Sequence, residues 1–174
     1  MKKLIKKMIR KIISSMLMIL GRFNIGQFIY EQFIDVIINR TKLVEHSGTK
    51  LVLSTPNGLT GYRADSFSSK EPETLDWLDG IPKNSVLWDI GANVGLYTCY
   101  AAKKSNCRVF AFEPSVFNLE VLARNIHLNG LSDLVTIIPL PLSSELSINK
   151  LNMTSTSWGG AMSTFGESYG HDGN

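Results

Sequence analysis

Val86-Leu87-Trp88-Asp89-Ile90-Gly91-Ala92-Asn93-Val94-Gly95-Leu96-Tyr97 is the stretch on which the reading of this chain depends. Ser85 to Ile90 reads as a buried strand, and it runs directly into Asp89 to Gly95, a glycine-rich turn. After the turn, Val94, Tyr97, Thr98 and Ala101 recur at the spacing of one helical face. Strand, turn and helix therefore follow in order. Glycines at such a turn let the backbone take positive φ and let a ligand come close, while the helix N-terminus offers unpaired amide donors. A ligand site at this turn follows from the residue types.

Working outward, Arg108 to Phe112 reads as a second strand ending at Glu113-Pro114. Glu113 lies about 20 residues beyond Gly91, the distance at which an acid at the tip of the second strand bonds ribose hydroxyls. Adenosine-containing ligands become the leading candidates. The next helix, Ser115 to Asn129, carries Leu119, Leu122, Ala123 and Ile126 on its core face and stops at Gly130. Leu134 to Pro139 is a third strand, completing a βαβαβ unit with right-handed crossovers expected. The fold class is α/β, Rossmann-like, with a mostly parallel sheet.

Upstream, Leu51–Ser54 and Leu59–Arg63 flank Thr55-Pro56-Asn57-Gly58, and Asn-Gly between two such runs signals a β-hairpin. Ser68 to Thr74 supplies polar caps and a first-turn proline for a short helix with Leu75, Trp77 and Leu78, closed by Gly80. An apolar helical stretch, Phe28 to Ile38, follows Gly26 and ends near Asn39, with core packing as its expected role.

Residues 2 to 20 alternate apolar pairs, from Leu4/Ile5 to Met16/Leu17, with lysine and arginine pairs, so a helix there has an apolar and a basic side. The uninterrupted run Met16–Leu20 is far short of the roughly 20 residues a spanning helix requires. No small-residue cleavage signal follows. Two readings stay open: an interfacial helix on an anionic membrane, or one packed on the rest of the protein. The domains read as a helical extension over 1–48 and the main domain over 49–174.

The 174 residues are 44% hydrophobic with a net charge of +3, as expected for one globular domain with an extension. Six of the 18 basic residues fall in the first eleven positions, and the remainder, with 15 acids, is mildly acidic. Charge confined to one end argues against a nucleic-acid-gripping body. Cys99 and Cys107 have no zinc-like partners and read as buried free thiols in a reducing compartment, and His46, His127 and His171 are scattered, so no metal is expected. The chain is expected in the cytoplasm, with any membrane contact peripheral at its inner face.

A dinucleotide site would place glycine where Asn93 stands, and its pyrophosphate would not tolerate Asp89 in the pocket. An acid there suits a ligand with a positive amino group, such as the methionine end of S-adenosylmethionine. The stretch quoted first, with Ala111-Phe112-Glu113-Pro114 and Asn118 through Asn125-Ile126-His127-Leu128-Asn129, resembles the FkbM family of methyltransferases. The resemblance runs from residue 50 to residue 166 and takes in Lys70-Glu71-Pro72-Glu73-Thr74 and Gly159-Gly160-Ala161-Met162-Ser163.

It implies S-adenosylmethionine as cofactor, held by Asp89, Gly91, Ala92, Asn93 and Gly95 at the methionine end and by Glu113, with Pro114 and Asn118 beside it, at the ribose. It also implies a hydroxyl of a small molecule or sugar as acceptor. A fourth strand ending in an Asp-Val-Glu-Gly type segment belongs to the family pattern; here Leu142 leads instead into a Gly/Ser/Thr-rich stretch with Trp158, Phe165 and Tyr169. The chain is thus expected to hold the N-terminal part of the domain, with low stability alone and the catalytic base unassigned. A nicotinamide-dependent enzyme and a non-catalytic remnant or partner-completed binding module are the alternatives. Arg63, Glu71 and Thr74 are candidates to fold over the ligand, or else a surface arginine and helix caps. Trp88 reads as a packing residue.

Overall fold

The computed structural model describes residues 2–167, so Tyr169 and His171 lie outside the described residues. The chain forms two compact units, Met1–Asn39 and Arg40–Asn174. The first consists of α1 (Lys2–Leu20) and α2 (Asn24–Ile38). α2 begins before Gly26, which lies inside the helix, buried close to the backbone of Leu20. Within this unit, Phe28, Phe33, Ile34 and Val36 of α2 are exposed.

The second unit begins with a hairpin that differs from the expected one. β1 (Thr41–His46) pairs antiparallel with β2 (Thr49–Ser54), so Thr41–His46, assigned to the helical extension from sequence, belongs with the main body. The turn is Ser47-Gly48, with both φ values positive at 44° and 76°, as a tight two-residue hairpin requires. Asn57-Gly58 instead opens α3 (Gly58–Asp65). The Asn57 side chain accepts from the Thr60 amide at 2.8 Å, and the Thr60 hydroxyl accepts from the Asn57 amide at 3.2 Å. This reciprocal cap satisfies amides that a helix start leaves orphaned. Asn-Gly serves a turn or a cap equally well, and here the cap is made.

α4 (Pro72–Asp79) has proline in its first turn and Gly80 at its C-cap. The parallel sheet follows as β3 (Val86–Ile90), α5 (Leu96–Ser105), β4 (Arg108–Phe112), α6 (Val116–Leu128) and β5 (Val135–Ile138), with the three strands and α6 within two residues of their expected bounds. Strand order is β3-β4-β5, with Leu87 opposite Val109 and Val109 opposite Val135. Leu151–Asn152 (β6) and Thr164–Phe165 (β7) form a short antiparallel pair.

α5 and α6 lie between the sheet and β2, and this placement explains α5. Thr98, Cys99, Tyr100, Ala101 and Ala102 are all buried in succession, because the helix is covered on several sides. Burial pushes the Cys99 thiol up to about 12 and raises Cys107, so both free thiols stay protonated at neutral pH. Asn125 of α6 and Asn129, the residue that caps it, hold the hairpin. Asn125 accepts the Ser54 amide at 2.7 Å and donates to the Val94 carbonyl at 2.7 Å. Asn129 bonds both backbone groups of Val52, at 3.0 and 2.8 Å.

β3 is not the fully buried strand its composition suggests. Leu87 is 8% exposed, but Val86, Trp88 and Ile90 are 62%, 60% and 63% exposed. Trp88 therefore packs only in part, its ring 5.3 Å from that of Phe112. The physical reason is layering: the helices cover one sheet face, whereas a parallel strand reads as buried on the assumption that both faces are covered.

Candidate functional site

The sheet places the ends of β3 and β4 side by side, with Asp89 opposite Ala111 and Ile90 opposite Phe112. The turn after β3 is anchored to β4, since the Gly91 and Ala92 amides both donate to the Phe112 carbonyl at 2.9 Å. Gly91 has φ +81°, and a side chain built there would meet nothing within 4 Å, so the backbone faces open space. Gly95 has a different role. At φ +80°, an added Cβ would lie 2.3 Å from Cδ1 of Leu122, so this glycine lets α5 approach α6 and lines neither cavity described below.

Two cavities adjoin at Ile90, Gly91, Asn93 and Ala161. The first, about 300 Å³, is lined by Asp89, Gly91, Ala92, Tyr97, Arg63 and Glu71. The second, about 380 Å³, is lined by Phe112, Glu113, Pro114, Asn118, Leu140 and Met162. The expected site residues other than Gly95 thus assemble around two connected spaces, and Arg63 and Glu71 join them. Thr74 does not; its amide bonds the Glu71 carbonyl at 3.2 Å in the first turn of α4. Arg63 belongs to α3, not to a hairpin.

Glu113 is buried and its carboxylate accepts two backbone amides, Asn93 and Ser115, each at 2.8 Å. It therefore fixes the glycine turn against the start of α6. Each carboxylate oxygen retains a further lone pair for a ligand hydroxyl. Burial raises the pKa of Asp89, helped by the neighbouring charge of Glu113 and opposed by a short hydrogen bond from the Thr98 hydroxyl. A cationic ligand group would restore the ionised form.

Asn93 adopts a left-handed conformation with φ 51°, which asparagine tolerates better than most residues. Its side-chain nitrogen donates to the Gly160 carbonyl at 2.6 Å, while its buried Oδ1 finds no donor among the described residues. That oxygen is an acceptor whose desolvation is uncompensated until a donor arrives.

One part of the site entered the sequence reading only through the resemblance, which took in Gly159–Ser163 without a site role. Residues 157–163 cross the cleft and are tied down by side chains far away in sequence. Asn118 donates to the Gly160 carbonyl at 2.9 Å and accepts the Gly159 amide at 3.0 Å. Arg63 donates to the Gly159 carbonyl at 2.8 Å, and Trp158 donates to Glu120 at 2.9 Å. Asn118, expected beside the ligand, spends both ends of its amide on this crossing segment.

Tyr97 was counted in sequence only as a helix-face residue, yet it faces the first cavity. Burial, and hydrogen bonding to Glu71, raise its pKa so that it remains a donor at neutral pH. The Lys70 hydrogen bond lowers Glu71, with Tyr97 assisting, so Glu71 is an ionised carboxylate at the rim.

No protein-family model matches the chain. Among curated proteins, it is 37% identical over 66 residues to the methyltransferase sdnD of Sordaria araneosa, covering 37% of this chain and 26% of that one. It is 40% identical over 48 residues to the hexuronic acid methyltransferase AglP of Haloferax volcanii, covering 28% and 19%. The aligned part thus spans about a quarter of the first relative's length and about a fifth of the second's. Among solved structures, a SAM-dependent methyltransferase of Agrobacterium tumefaciens is 14% identical with a TM-score of 0.43, covering 57% of this chain and 32% of that one.

Proposed function

We propose that residues 40–167 bind S-adenosylmethionine for methyl transfer to a hydroxyl of a small molecule or sugar, in the manner of FkbM-type enzymes. The observation that carries this reading is the pair of acids, Asp89 and Glu113, on either side of an open glycine turn. The methyltransferase relatives support it. The residues fit the group. Asp89 and the undonated Asn93 Oδ1 suit the amino group of the methionine end, Gly91 leaves room for its backbone, and Glu113 suits the ribose hydroxyls. The apolar walls of Phe112, Leu140 and Met162 suit the adenine.

S-adenosylmethionine, when bound, supplies an electrophilic methyl group on a sulfonium. The tasks left to the chain are alignment and exclusion of water. Tyr97 donates a hydrogen bond at the wall of the first cavity, while Arg63 and the ionised Glu71 are placed to orient an acceptor hydroxyl.

Isothermal titration with S-adenosylhomocysteine and, separately, NAD tests the reading. Binding of the first and not the second is expected. Asp89→Asn and Glu113→Gln should each weaken binding about tenfold or more, the scale of a lost charge-assisted hydrogen bond. Binding of NAD alone, or no effect of either variant, overturns the assignment. Glu71→Gln should leave S-adenosylhomocysteine binding unchanged and lower turnover once an acceptor is known; unchanged turnover removes Glu71 from the site.

A further inference from the structure

α1 presents two sides of opposite chemistry. At about 100° per residue, Leu4, Ile5, Met8, Ile9, Ile12 and Met16 gather on one side, and Lys3, Lys6, Lys7, Arg10 and Lys11 on the other. No acidic residue interrupts the helix. Every large apolar residue from Leu4 to Ile19 is exposed. A bare apolar stripe of this length marks an interaction surface.

We infer that α1 is an interfacial helix that docks the chain on an anionic lipid bilayer. The charge distribution selects this occupant. An apolar face covered by protein, including a second copy of α1, needs nothing from a row of cations without an acidic residue among them. A bilayer surface with anionic headgroups takes both features at once: the apolar side enters the acyl boundary, and the lysine and arginine stems extend to the phosphates. The helix lies on the surface and does not cross it, since no helix among the described residues is long and apolar enough to span a membrane.

Flotation of the full chain with vesicles of phosphatidylcholine alone, or of phosphatidylcholine with phosphatidylglycerol, tests the inference. The chain should float with the anionic vesicles, stay behind with the neutral ones, and dissociate as salt is raised. Lys6→Glu with Arg10→Glu should weaken binding about tenfold or more. Both positions are exposed, and an unchanged circular dichroism spectrum establishes that the variant is folded. Ile9→Ser with Ile12→Ser should also abolish flotation. Equal flotation with neutral vesicles, no flotation with either, or wild-type behaviour of the charge-reversed chain overturns it. So does self-association through α1 without lipid binding.

Discussion

On one face of the β3–β4–β5 sheet, Leu87, Val109 and Ala111 are closed beneath the helices; on the other, Val86, Trp88 and Ile90 stand open. Neighbouring residues of a single strand thus differ from almost complete burial to about two-thirds exposure, though all are apolar. Residue type on a parallel strand specifies that it can be buried on both faces, and the elements packed there decide whether it is. The closed face also carries Asp89, which shares it with Leu87.

Substitutions on the two faces should therefore separate widely. Gly95→Val, where α5 meets α6 over the closed face, forces a branched side chain into φ +80° with Leu122 in its path. A loss of about 2–5 kcal/mol is expected by urea denaturation. Leu87→Ala, also on the closed face, should cost about 2–4 kcal/mol. If either is near neutral, the closed face is less well packed than it looks.

Asp89→Asn is expected to stabilise. Burial raises the folded pKa of Asp89 above its unfolded value, so the native state holds the extra proton between the two, and stability falls as pH rises through that window and stays lower above it. As pH rises above about 4, the ordinary value of an aspartate, the Tm of the native chain should fall relative to that of the Asn variant, which has no carboxylate to titrate. The same substitution weakens ligand binding, so a gain in Tm with a loss of affinity identifies an acid kept for function. A parallel Tm profile in both chains would remove Asp89 from that role.

The smallest effect is expected on the open face. Trp88→Ser should change stability by less than about 1 kcal/mol, the scale of its contact with Phe112, and should raise solubility. A loss as large as that of Leu87→Ala would show the open face to be covered in solution.

Much of the βαβαβ unit was legible because its signals are local: apolar runs for β3, β4 and β5, 3.6-residue periodicity for α6, and glycine or asparagine at the ends. The hairpin was misplaced because Asn57-Gly58 carries a signal that two structures share, and the pairing of β1 with β2 was chosen at longer range. At the site, the glycine turn, Asp89 and Glu113 were legible from spacing. The place of segment 157–163 in the site was not, although the resemblance took in Gly159–Ser163, since its anchors Arg63, Asn93 and Asn118 lie about 40 to 100 residues away.

By itself the sequence determined the order of strands and helices from β3 to β5, the glycine turn between β3 and α5, and the two-sided character of α1, since each is written in neighbouring residues. Tertiary structure decided which sheet face is covered, that Gly95 serves helix packing while Gly91 faces the cavity, and that Asn118 holds a crossing segment. These depend on which distant groups meet, and burial, close approach and hydrogen-bond partners are properties of that meeting and not of any residue's own chemistry.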